Sequence, residues 1–136
     1  MRFARIVFMV AGIVGLIELV PLYFMYNLIG RQDPPVITHP AFYYGFVGTA
    51  IAWQIAFLMI GRDPVRLRPL MLAAVVEKYT YSVAVIILYL QSRMHASDLP
   101  FGIQDLLLGS LFLATFFQTA RPAASLKAIS VSAQRS

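Results

Sequence analysis

Four apolar stretches, each near the length that crosses a bilayer, leave this chain few folds to choose from. A helix rises about 1.5 Å per residue, so about 20 apolar residues cross a hydrocarbon core of about 30 Å. Inside lipid every backbone N–H and C=O must be satisfied by the segment itself, and a helix does that within one strand of chain. The stretches run over about 6–28, 41–60, 70–90 and 101–117. Only 12% of the residues are charged and 60% are hydrophobic. Soluble domains carry about 25% charged and about 45–50% apolar residues. The pattern predicts an all-α, integral membrane four-helix bundle forming one domain over 1–122, with a flexible cytoplasmic tail over 123–136.

Punctuation between the stretches agrees. Gly30, Pro34, Pro35 and Pro40 mark the first connection; Gly61, Asp63, Pro64 and Pro69 a tight second one; residues 92–100 the third. Pro122 is expected to stop the fourth helix, because proline lacks the N–H that a helix interior needs. The first stretch begins with Arg2 and Arg5, as a secretory leader does, but it is longer than a leader's apolar region and no small-residue cleavage pattern follows. It is read as a span. Basic residues then set the orientation. Arg2, Arg5, Arg62, Arg66, Arg68, Arg121, Lys127 and Arg135 fall on one side, against Arg31 and Arg93 on the other. Both termini are therefore expected in the cytoplasm. Tyr23, Tyr26, Phe42, Tyr43, Tyr44, Tyr89 and Phe101 would form an outer aromatic belt.

Several classes of chemistry drop out. There are no cysteines, which excludes disulfides, thiolate zinc sites and iron–sulfur clusters. The net charge of +5 is scattered, with no stripe that would track phosphates, so no nucleic-acid partner is expected. The bilayer is the expected surrounding. No phosphate loop, nucleophile elbow or zinc-protease motif is present. His39, His95, Asp33 and Asp98 lie on separate loops without metal-ligand spacing, and no metal is expected. Arg66 and Arg68 suit anionic headgroups; the simpler reading of that loop is an orientation signal with a turn.

Packing faces can be read from small residues. Ala41, Gly45, Gly48, Ala52 and Ala56 recur at helical spacing and form one narrow stripe. Such stripes let backbones approach closely in lipid. The stripe is expected to form a helix contact inside the bundle, with a homodimer seam as the alternative. Gln54 lies nearly opposite it and should meet another neighbour, an oligomer partner or the inner headgroups.

The remaining polar residues carry the functional question. Glu18 lies midway along the first span, three residues before Pro21, with Ala11 and Gly15 on its face. Glu77 sits among small residues of the third span. A charge facing lipid costs about 2.5–3.5 kcal/mol or more, so these acids should face inward. Adjacent residues on a helix diverge by about 100°, so Glu77 and Lys78 are not expected to pair directly. Lys78 can instead snorkel toward the cytoplasmic side, pair with Glu18, which lies at a similar depth, or reach Glu77 of a neighbouring helix, and Tyr81 lies one turn from Glu77, able to donate to it. Asp105 is read as a first-turn acid complementing the positive end of the fourth helix. Two readings stand for Glu18, Gln54, Glu77, Lys78 and Tyr81: a polar pocket or proton relay, or a charge-paired cluster that specifies which helices pack. A bundle this small is expected to leave little room for a cavity.

The compact four-span layout, the glycine-bearing first span with Glu18 and the basic loop before Glu77 resemble the DoxX-like small bacterial four-span membrane proteins. The resemblance is architectural. It implies a plasma (inner) membrane protein working near quinones or a membrane protein partner, some members of the group being accessory subunits of redox enzymes. The sequence itself identifies no cofactor. The leading functional expectation is thus a non-enzymatic accessory component acting through partner proteins, lipids or quinones. The alternatives are a small proton-coupled transporter or carrier using Glu18, Glu77 and Lys78, and a membrane enzyme on a lipid-like substrate.

Overall fold

The computed structural model describes residues 1–32 and 36–133, with residues 121–133 described by their backbone only. It contains five α-helices: α1 (Arg2–Leu22), α2 (Tyr26–Gln32), α3 (Pro40–Arg62), α4 (Arg68–Leu90) and α5 (Leu99–Ala133). A short 3₁₀ turn, Ala96–Asp98, precedes α5. No strand occurs among the described residues. Four helices are long and apolar enough to cross a membrane: α1, α3, α4 and the stretch Ala96–Ala120. Their outward residues are apolar, as a lipid surrounding demands: Ile17 is 69% exposed and Leu90 76%.

The prolines expected to punctuate the loops also start helices. Pro40 and Pro69 occupy the first turns of α3 and α4, where a missing N–H costs nothing and the fixed φ suits the helix. Asp63 holds the tight α3–α4 turn, its side chain accepting from the Arg66 N–H at 3.2 Å. At the other end of α4, Ser92 adopts a left-handed φ of 56°. The Arg93 N–H reaches back to the Leu88 carbonyl and the Ser92 N–H to that of Tyr89, the paired bonds of a Schellman termination.

Two boundaries differ from expectation. The first span ends at Leu22, not near residue 28, and residues 26–32 form the separate helix α2. Three successive i→i−3 bonds, from Tyr23, Phe24 and Met25, tighten the chain into a turn directly after Pro21. Pro21 therefore lies in the last turn of α1. The Tyr43 hydroxyl also donates to the Leu22 carbonyl at 2.6 Å, and Tyr26 donates to that of Ile37 at 2.8 Å. Tyr23, Tyr26, Tyr43 and Tyr44 pack ring against ring around this turn. At the other boundary, α5 does not stop at Pro122 but continues to Ala133, so most of the expected tail is helical. Residues 134–136 lie outside the described residues, as do Asp33, Pro34 and Pro35 of the first connection.

The helices associate as two intimate pairs, α1 with α3 and α4 with α5, whereas α3 and α4 touch only sparsely. The pairs meet in a packed core at the end that holds the N-terminus and the α3–α4 turn. There Phe8 stacks on Phe112 at 4.2 Å between centroids, and Phe57 meets Phe112 edge-on at 4.9 Å. Met71, Ile60 and Ala74 complete the cluster with no exposure. Arg68 ties the turn to α5: its Nε donates to the Phe116 carbonyl at 3.0 Å and its guanidinium lies 3.7 Å from the Phe116 ring centre.

The expected small-residue contact falls on a different helix. A Cβ added at Gly45 or Gly48 would meet nothing within 4 Å, and Ala41, Gly45 and Ala52 are exposed. Among the described residues, the α3 stripe at Gly45 and Gly48 therefore packs against no other helix. Close approach is made by α1 instead. A Cβ at Gly12 would stand 2.8 Å from the Gln54 backbone oxygen, and one at Gly15 would run into the Gln54 side chain. The face of α3 that meets α1 is the one opposite the stripe, carrying Val47, Gln54, Phe57 and Gly61. Gln54 thus faces α1, one of the neighbours its position allowed.

Gly12→Val should cost about 1–3 kcal/mol through overpacking against backbone that cannot yield. Gly45→Ala should be neutral or slightly stabilising, since it fills open space and improves helix propensity. Thermal unfolding in detergent, followed by circular dichroism, checks both; equal melting temperatures for the two variants would refute the assignment of Gly12 as the close approach.

Candidate functional site

Beyond the packed core the two helix pairs stand apart. The space between them is a chamber of about 1070 Å³. It runs from Gln54 and Leu108 to α2 and the 3₁₀ turn, where Ile29, Gln32, Ser97 and Asp98 line it. The expectation that so small a bundle leaves little room for a cavity is overturned. The cause is the packing: glycines draw α1 against α3 and α5 against α4, but none draws α3 against α4. Exposed lining residues Phe42, Gly45, Phe46 and Thr49 on α3, with Thr80 on α4, show that the chamber opens sideways between these helices. The Phe46 and Tyr81 rings face each other across this opening at 6.5 Å.

The chamber brings together all five intramembrane residues singled out in the sequence: Glu18, Gln54, Glu77, Lys78 and Tyr81. Their pairings differ from expectation. Lys78 does not pair with Glu18. Its Nζ lies 3.0 Å from Asp105 Oδ1 and 3.4 Å from Glu77 Oε2. The long, flexible Lys78 and Glu77 side chains converge although their Cβ directions diverge, so adjacency did not prevent the contact. The Lys78 ammonium also lies 5.5 Å from the Phe57 ring centre. The lysine and Asp105 side chains are 8% and 12% exposed. Glu18 instead accepts from Gln104, whose Nε2 reaches its two oxygens at 2.9 and 3.2 Å. Tyr81 makes no hydrogen bond to Glu77; it contributes its ring.

Sequence reading missed the contribution of α5. Asp105 was placed in the first turn of a helix starting near residue 101. The helix starts at Leu99 with Pro100 in its first turn, so Asp105 lies near the end of the second turn and faces Lys78. The overlooked signal is the adjacent pair Gln104–Asp105 inside an apolar stretch. Arg68 turns inward to Phe116, whereas Arg66 is exposed at the α3–α4 turn.

Three polar groups remain under-used. Gln54 is only 2% exposed and its Nε2 returns to the Ala50 carbonyl at 3.1 Å, but its side-chain oxygen accepts from no described residue. Glu77 Oε2 is buried without a hydrogen bond and is held by the Lys78 ammonium alone. Buried polar atoms are nearly always partnered, so Glu77 Oε2 stands out, as does Ser82 Oγ, which is likewise buried without a hydrogen bond. Among the described residues no group of acids and histidines is arranged to hold a metal ion. No family model, curated protein or solved structure matches this chain.

Removing one member of a buried ion pair strands the other, which costs about 3–5 kcal/mol. Lys78→Met should therefore destabilise the protein strongly, and Lys78→Met with Asp105→Leu should recover part of the loss. Melting temperatures of the two variants in one detergent decide the point; a double variant no more stable than the single one would show that the pair is not the coupling.

Proposed function

We propose that this protein is a small multi-pass membrane protein that takes a small, largely apolar molecule into the chamber and holds it against the buried polar residues, as a binding component or carrier. The chamber itself carries this reading. Ligand sites are typically concave, about 300–1000 Å³ in volume, mostly apolar, and furnished with a few convergent polar groups. A volume of about 1070 Å³ with Glu18, Gln54 and Glu77 in its wall fits that description. Ionisable groups within a membrane span are also functional candidates in their own right. The enzyme reading is less well supported. Asp105 is tied to Lys78 and Glu18 to Gln104, so these carboxylates are engaged in pairs rather than set against a reacting centre.

The DoxX-like likeness brings in quinones, which present two carbonyl acceptors. The carboxylates of the chamber are acceptors too and already engage Lys78 and Gln104, so a quinone would rely on the Tyr81 hydroxyl and the Trp53 indole N–H as donors. A second reading, an accessory subunit that docks a partner helix or a second copy, draws support from the uncovered Ala41–Ala56 stripe. The membrane we propose is the plasma (inner) membrane, with both termini cytoplasmic, on the strength of the basic-residue asymmetry.

Native mass spectrometry of protein gently extracted from its own membrane should show a small molecule retained, and Gly45→Phe, which fills the chamber from open space, should come out bare. A bare wild-type protein indistinguishable from Gly45→Phe would overturn the binding reading. Orientation is checked separately, because the chain has no cysteine of its own. In intact cells a membrane-impermeant maleimide should label His95→Cys and spare Ser136→Cys; the reverse pattern refutes cytoplasmic termini.

A further inference from the structure

The charge of the chamber wall is unbalanced. Glu18, Glu77, Asp98 and Asp105 line it with one base, Lys78. That ammonium is already held between Asp105 and Glu77. Glu18 has only the neutral Gln104 amide, with no cation beside it among the described residues. A carboxylate in a low-dielectric site without a counter-charge is costly, and a bound cation relieves that cost. An anion would add to the repulsion instead.

Two further observations point the same way. The under-used oxygens of Gln54 and Glu77 both accept hydrogen bonds, and so match donors on a ligand rather than acceptors. Phe42, Phe46, Trp53, Tyr81 and Phe101 line the chamber. Their ring faces attract organic cations as well as apolar bodies. We infer that the chamber is selective for amphipathic organic cations, such as a lipophilic ammonium, which enter from the lipid through the opening between α3 and α4. This inference rests on the reading of the chamber as a binding site.

The sole tryptophan of the chain, Trp53, lies in the chamber wall and reports occupancy. Its emission should be followed in the purified full-length protein on titration with tetraphenylphosphonium, with the near-isosteric anion tetraphenylborate, and with neutral triphenylphosphine oxide. The phosphonium should give a saturable change at concentrations about tenfold or more below either of the others, and Glu18→Gln should weaken it by about tenfold or more. Gly45→Phe, whose added side chain enters open space and leaves the packed core untouched, should abolish the change; it carries the test should Glu18→Gln fail to fold. Equal or tighter binding of the oxide or the borate overturns the cation inference while leaving the chamber a binding site. Full phosphonium affinity in a folded Glu18→Gln also overturns it. Failure of all three compounds to bind overturns the inference and the binding reading together.

Discussion

The ammonium of Lys78 must be neutralised in a part of the chain that crosses lipid, and much of the bundle is arranged around that need. An unpaired charge at the membrane centre costs at least about 2.5–3.5 kcal/mol. Asp105 supplies the counter-charge from α5 at 3.0 Å, which fixes the register of α4 on α5. Gly109, one turn beyond Asp105, makes room for the contact: a Cβ there would stand 3.3 Å from the Cβ of Lys78. The ring of Phe57 under the ammonium draws in α3. A second polar link, Glu18 to Gln104, joins α1 to α5 at the adjacent position. All four long helices are thus coupled through polar groups at one level, where an apolar interface would leave rotation and sliding weakly specified.

The two ends of the bundle divide the work. One end is a close-packed cluster of Phe8, Phe57, Phe112, Ile60 and Met71, sealed by Arg68 on Phe116. The other is hollow and is bounded by α2, which packs on α3 through the Tyr26 ring against Tyr43 and Tyr44, while the Tyr26 hydroxyl holds the loop before α3 at Ile37 and the Tyr43 hydroxyl holds the end of α1 at Leu22. Without a hydrophobic drive between helices in lipid, association depends on close packing and interhelical polar contacts. The packed end supplies the first. The charged level supplies the second and serves at the same time as the inner wall of the chamber.

The all-α bundle was legible because length and apolarity in a bilayer leave few alternatives, and the four spans fall where the apolar stretches do. The inward facing of Glu18 and Glu77 was legible for the same energetic reason. What sequence could not supply was the partner of each charge. Glu18 and Lys78 lie at similar depths, but depth does not decide azimuth, and α5 presents both of their actual partners from adjacent positions, Gln104 and Asp105. The small-residue stripe misled for a related reason. Periodicity marks a face on α3 without saying what covers it, and the glycines that mattered, Gly12 and Gly15, form a shorter pattern on α1. Pro122 shows a limit of local rules: it lies within α5, which continues to Ala133 despite the missing N–H.

The sideways opening between α3 and α4 lies within the membrane-length segments, at Gly45, Phe46 and Thr49 on one side and Thr80 on the other. A solute entering there would be drawn from the hydrocarbon rather than from water. The concentration that governs occupancy is then the concentration in the bilayer, by mass action. Two molecules making identical contacts with the chamber wall would differ in apparent aqueous affinity by the ratio of their partition coefficients. Specificity at such a window is therefore set twice, once by the lipid that concentrates the solute and once by the residues that receive it.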